Sequence, residues 1–156
     1  MQSKRVYKIS EAKERIKDFC SLQDKCQWDV RKKLSQWGLL ENTKDLIMTE
    51  LIENGFIDEE RFSKSFCRGK FRIKKWGRLK IVNELKSKNI SNVCIRKGLQ
   101  QIKEEEYLKT LQELYDKKKS FLKDNNWFIK KGKIAKHLQQ KGFESSLVWE
   151  LINKDK

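Results

Sequence analysis

The hexamer Leu34-Ser35-Gln36-Trp37-Gly38-Leu39 returns as Leu85-Lys86-Ser87-Lys88-Asn89-Ile90, and again as Leu138-Gln139-Gln140-Lys141-Gly142-Phe143. The leucines stand 51 and then 53 residues apart. Each block reads as a helix end: a leucine on the buried face, a turn through Gly or Asn, then an apolar residue folding back on the helix. Gly and Asn are the residues that accept the left-handed conformation such a turn needs. Three copies at nearly one period define a helical repeat. A chain of 156 residues then holds three units, each marginal alone and steadied by stacking on a neighbour.

Composition agrees with helices. Proline is absent, glycine numbers seven, and 38% of residues are charged against 37% apolar. That supports narrow apolar faces rather than a thick core, with five Trp and eight Phe supplying much of the burial. The expected fold is all-α: three tandem three-helix units in an elongated, curved array, spanning 1–55, 56–102 and 103–156. Helices are expected over Ser10 or Glu11 to Leu22, Asp24–Trp37 and Asn42–Asn54, with Asn42 as N-cap and Asp45 completing a capping box. The second unit reads as Asp58–Lys75, Arg78–Lys88 and Ser91–Ile102. The third reads as Glu104–Lys123, Trp127–Gln140 and Ser145–Asn153.

The junction GFIDEERF, residues 55–62, concentrates acid in a chain of net charge +15. Gly55 ends a helix, Phe56 and Ile57 fold back onto the first core, and Asp58 caps the next helix. Glu59 and Glu60 then meet the positive end of that helix's dipole, and Glu60 can pair with Lys64. Phe62, Phe66, Gly69 and Ile73 form its apolar face. No histidine, nucleophile or metal ligand accompanies these acids, so they read as a structural junction rather than a catalytic cluster.

Charge is unevenly distributed. The net value is +2 over residues 1–55, +9 over 56–102 and +4 over 103–156. After the acids come Arg61, Lys64, Arg68, Lys70, Arg72, Lys74, Lys75, Arg78 and Lys80 with no acid between them. On a helix, Lys64, Arg68, Arg72 and Lys75 share a face. Three readings stay open: a solvated face, a stripe for nucleic-acid phosphates, and a docking face for an acidic protein surface. Arginine is locally enriched in a lysine-biased chain, and its planar fork favours the last two. Phe71 and Trp76, interleaved here, fit core or junction packing better than base stacking.

Other chemistry finds little footing. Cys20, Cys26, Cys67 and Cys94 form no Cys-x-x-Cys pair, and His137 is the single histidine; buried reduced thiols fit better than zinc. There is no Gly-rich phosphate loop and no nucleophile motif beside His137. No apolar run approaches membrane-spanning length, and the opening MQSKRVYKIS lacks an apolar stretch after its charges. The expected compartment is the cytoplasm.

The run LIENGFIDEERF followed by KKWGRLKIVNELKSKNI resembles the signature of the RecX regulatory proteins, bacterial modulators of the RecA recombinase. Gly55, Phe56, Asp58, Glu60, Arg61 and Phe62 match its first part. Gly77, Lys80, Ile81, Glu84, Leu85 and Ile90 match its second, with Asn89 where the family usually has Gly. The closing HLQQKGF resembles the last unit's pattern, with Lys141 for Arg. Trp28 and Asp29 depart from the expected start of the first unit's second helix. The resemblance implies a curved array of three three-helix units and a nonenzymatic, negative regulator without cofactor or metal. Such a protein binds the RecA–single-stranded-DNA filament and blocks its ATPase, strand-exchange and co-protease activities. Expected partners are RecA and single-stranded DNA, with duplex DNA second, and the chain is expected to act as a monomer. A general DNA-binding protein without a specific protein partner is the alternative. Charge nominates Lys64, Arg68, Arg72, Lys74, Lys75, Arg78 and Lys80 as contacts to RecA or DNA. Gly55, Phe56, Asp58, Glu60, Arg61, Phe62, Gly77, Ile81 and Leu85 carry the signature as structural residues.

Overall fold

The computed structural model describes residues 7–155; the opening MQSKRV, read above for a leader, lies outside them. Among the described residues there are nine α-helices and no strand: α1 Ile9–Leu22, α2 Gln27–Gln36, α3 Glu41–Glu53, α4 Glu59–Arg72, α5 Arg78–Ser87, α6 Asn92–Leu99, α7 Glu104–Phe121, α8 Trp127–Gln140 and α9 Ser145–Lys154.

The repeated hexamers are the ends of α2, α5 and α8. Gly38, Asn89 and Gly142 all have positive φ, at 75°, 60° and 97°. In each copy the N–H of the following residue donates back to the leucine carbonyl: Leu39 to Leu34, Ile90 to Leu85 and Phe143 to Leu138. All three leucines are fully buried. The junction repeats the device, with Gly55 at φ 76° and Phe56 N–H donating to the Leu51 carbonyl at 2.9 Å. Asp58 then caps α4 by accepting from the Arg61 N–H at 2.9 Å, and Glu59 and Glu60 occupy the first turn.

Several helix limits differ from the sequence reading; α6 stops at Leu99 rather than Ile102 and α7 at Phe121 rather than Lys123, and three other differences bear on the site. α2 begins at Gln27 rather than Asp24. The Asp24 carboxylate is held by α4, and Asp29 accepts instead from the Cys26 N–H at 3.4 Å. α3 begins at Glu41, so Leu40 rather than Asn42 is its N-cap. α4 stops at Arg72 rather than Lys75. Lys75 has φ 58°, and the Trp76 N–H folds back to the Lys70 carbonyl at 3.1 Å. Lys75 therefore leaves the face shared by Lys64, Arg68 and Arg72. Ile73, expected on the apolar face, is 78% exposed.

Packing separates the first three helices from the rest. α1–α3 enclose Ile16, Val30, Leu34, Ile47, Leu51 and Ile57 in a core of their own. The other six helices share one continuous core. Its spine is a ring series, Phe71 against Tyr107 at 5.8 Å and Tyr107 against Phe143 at 5.2 Å. At this joint α8 ends against the start of α5: Gly77 N–H donates to the Lys141 carbonyl at 2.7 Å and Leu79 N–H to the Gly142 carbonyl at 2.9 Å. Carbonyls at a helix C-terminus thus satisfy amides at a helix N-terminus. A Cβ on Gly77 would collide with the backbone of Gly142 and Phe143, which explains that glycine. α4 and α6 also cross closely, where Gly98 lies against Ser63 and Cys67.

Candidate functional site

The first joint is polar. Arg61 donates to the Asp24 carboxylate at 2.7 Å, Ser65 Oγ donates to it at 2.6 Å, and Lys88 pairs with Asp29 at 2.6 Å. The Gln27 N–H donates to Glu59 at 3.2 Å, and Cys26 reaches across into the second core. The Ser65 hydrogen bond, aided by Arg61, holds Asp24 below the usual carboxylate range. Burial works against ionisation of Asp29, but hydrogen bonds from Lys88 and Cys26 outweigh it and its pKa is lowered. Burial raises that of Glu59 and pushes the Cys26 thiol up to about 12, which makes it an unreactive thiol.

Beside these ties runs an open groove of about 660 Å³. α1, α2 and the link between them form one wall; α4 and the segment after it form the other. Phe19 and Trp28 face Phe62 and Phe66 across it. Ammonium groups sit over the rings: Lys25 over Phe19 at 4.4 Å, Lys32 over Trp28 at 4.9 Å and Lys70 over Phe66 at 5.4 Å. Its two acids, Asp24 and Asp29, are those already engaged in the joint. Cation–π pairing of this kind is weak at exposed sites, about 0.5–1 kcal/mol, so the lysines can exchange it for an anion.

The nominated cations divide into separate groups. Lys64 pairs with Glu60 at 3.1 Å, and Arg68 donates to Gln101 at 3.0 Å and to Ser65 at 3.4 Å. Arg72, Lys74 and Lys75 are exposed and have no acid partner among the described residues. Lys74 also lines the groove. Lys80 lies over the Trp76 ring at 4.5 Å. Arg78 has intramolecular partners: it pairs with Glu144 at 2.9 Å and with Glu104, and covers the Tyr107 ring at 3.8 Å. The Tyr107 hydroxyl in turn donates to Glu144 and accepts from the Arg78 N–H at 3.1 Å. Sequence reasoning marked Trp28 only as a departure from the family pattern and did not pick out Lys25, Lys32 or Lys33, because the wall opposite them comes from residues some 30 to 60 positions away. The near-neutral charge of the first unit concealed them.

The family model of the second three-helix domain of RecX matches residues 58–99, and that of the third matches 104–152. Together they cover more than half of the chain. The chain belongs to the RecX family. It is 25% identical over 129 residues to the regulatory protein RecX of Lactobacillus johnsonii, covering 83% of this chain and 48% of that one. The chain therefore spans about half the length of that relative. With the regulatory protein RecX of Prosthecochloris aestuarii the identity is 25% over 137 residues, 86% of this chain and 87% of the relative. A crystal structure of regulatory protein RecX superposes with TM-score 0.84 at 26% identity, over 95% of this chain and 73% of that one. RecX from Lactobacillus salivarius, at 20% identity, shares the fold with TM-score 0.80 over 94% and 95% of the two chains. The structural likeness thus takes in the helices before residue 58, ahead of both family matches. Within a RecX array, the groove lies between the first and second units. Among the described residues no helix is long and apolar enough to cross a membrane.

Proposed function

We propose that this chain is a nonenzymatic, negative regulator of RecA that acts as a cytoplasmic monomer. It binds the RecA–single-stranded-DNA filament and inhibits its ATPase, strand-exchange and co-protease activities. The division into units at 1–55, 56–102 and 103–156 belongs to the same reading. The observation that carries it, beside RecX membership, is the uncompensated charge of the second unit. Among the described residues, Arg72, Lys74 and Lys75 stand exposed without an acid partner. Unpaired cations in one place steer encounter with a polyanion and bind it without reading sequence. Arg78 contributes through the joint it braces, by holding the third unit in place.

A titration of RecA ATPase on single-stranded DNA tests the reading. The wild-type chain should lower turnover, and Arg68→Glu with Arg72→Glu should keep its helicity but lose most of the inhibition, above all at low salt. Wild-type protein that leaves the ATPase unchanged overturns the proposal. Full inhibition by the double variant removes the stripe from it. The alternative, a general DNA-binding protein without a protein partner, is favoured by the groove, whose chemistry does not involve RecA. In that case loss of ATPase should follow DNA occupancy and appear equally with any DNA-dependent ATPase.

A further inference from the structure

We propose that the groove between the first two units holds one strand of nucleic acid. Trp28 stacks on a base, and Lys25, Lys32, Lys33, Lys70 and Lys74 run along the phosphates. The inference does not rest on the RecA reading, since it concerns the free protein.

Charge is the first argument. None of these five lysines has an acid partner among the described residues, and the groove's own acids are occupied by Arg61, Ser65 and Lys88. A polyanion is the complement. The kind of cation is the second argument. No arginine lines the groove; lysine acts as a point charge that binds phosphate without a fixed geometry, which suits a backbone held regardless of sequence. The rings are the third. Trp28 is 39% exposed, with Lys32 at 4.9 Å and Lys88 at 5.1 Å from its ring. A base stacking there replaces a weak ammonium contact and frees the Lys32 charge for a phosphate. An acidic peptide offers a planar group only at its aromatic side chains, whereas every nucleotide carries one. A duplex keeps its bases stacked inside, so it could use the lysines but not the rings. Single strands offer both, and aromatic platforms beside a basic track suit them whatever their sequence.

The track continues beyond the groove. Lys70 lies over both Phe66 and Trp76, Lys80 covers Trp76 at 4.5 Å, and Lys141 Nζ donates to the Lys74 carbonyl at 3.1 Å. Lys141 sits half-buried among Lys74, Lys80 and Lys117; burial first, then those neighbours, lowers its pKa. A strand leaving the groove past Lys74 therefore meets a second basic cluster at the joint with the third unit.

The test is fluorescence anisotropy of labelled oligo-dT with the full chain and no RecA present. Wild type should prefer oligo-dT to a duplex of equal length. Trp28→Ala should weaken binding about 10-fold, the effect of losing one stacked base, with the salt slope unchanged. Lys32→Gln with Lys33→Gln should lower the slope of log affinity against log salt by about 1.4, two phosphate contacts on a single strand. Circular dichroism should show native helicity in both variants. As a measurement free of mutation, an iodouracil-bearing oligonucleotide crosslinked to wild type should label peptides containing residues 19–36 or 62–88. Crosslinks confined elsewhere, a Trp28→Ala variant that binds like wild type, or polyglutamate displacing the oligonucleotide at equal charge overturns the assignment. Because RecA is absent, failure here leaves the ATPase result standing, and the reverse holds too.

Discussion

Replacing Gly77 with alanine should cost far more than one methyl group normally would. The added Cβ would lie less than 3.0 Å from the Gly142 carbonyl carbon and the Phe143 nitrogen, which are backbone atoms that no rotamer change can move. Ordinary contact begins near 3.4 Å, so the turn after α8 must retreat from the start of α5. That retreat stretches two backbone hydrogen bonds between the units, Gly77 N–H to Lys141 at 2.7 Å and Leu79 N–H to Gly142 at 2.9 Å. Each is worth about 0.5–1.5 kcal/mol net, and overpacking adds about 1–3 kcal/mol. The expected loss is about 3 kcal/mol, or about 6–12 °C in Tm for a domain of this size.

Urea and thermal unfolding followed at 222 nm measure it. Gly132→Ala is the matched control. Gly132 lies within α8 with nothing inside 4 Å of its Cβ position, so alanine should stabilise by about 0.5–1 kcal/mol through helix propensity. If Gly77→Ala unfolds at the wild-type midpoint while Gly132→Ala rises, the packing of α5 against the end of α8 is not what makes Gly77 necessary.

Two further outcomes are expected. Gly55→Val should lose about 1 kcal/mol or more, because Gly55 has φ +76° with open space around it and the penalty is backbone strain alone; an unchanged Tm would mean that the junction does not need a left-handed turn. The stability that Asp24 gives should depend on pH: its folded pKa is lowered, chiefly by the Ser65 hydrogen bond, so the contribution is complete above the unfolded carboxylate value and disappears as pH falls through the folded one. Tm values of wild type and Asp24→Asn should therefore converge in acid, and a gap that stays constant from pH 7 to pH 3 would remove Asp24 from the joint.

What the sequence made legible was local. A helix end is written in six adjacent residues, so Gly38, Asn89 and Gly142 could be read as left-handed turns before any packing was known, and Gly55 and Asp58 likewise. Long-range facts were not. Gly77 stood out as a signature residue, but its reason is a turn some 65 residues later. Arg78 looked like one more cation in a basic run because Glu144 and Glu104, its partners, lie 66 and 26 residues away. The groove was hidden twice over. Its walls come from two units, and a charge count by unit cancelled Lys25, Lys32 and Lys33 against acids that the fold uses elsewhere, such as Glu41 and Asp45 on Arg31 and Glu11 on Arg15.

The two joints of the array are built from different physics, and that difference bears on where the protein can respond to a partner. Between the second and third units, the contact is a shared apolar core, a series of three rings and two backbone hydrogen bonds, with Arg78 paired to Glu104 and Glu144 beside them. Its packed part responds little to salt and tolerates no sliding, so only the Arg78 pairs are exposed to screening. Between the first and second units, each side keeps a core of its own. The contact rests on Cys26, the Asp24–Arg61–Ser65 cluster, the Asp29–Lys88 pair and Glu59 on the Gln27 amide. Polar ties are individually modest and weaken with ionic strength. A polyanion bound as proposed would compete for Lys88 and repel Asp24 and Asp29, acting directly on the ties between the two walls. The second and third units, sharing one core, would then serve as the platform, and α1–α3, with a core of their own, as the wall held by polar ties.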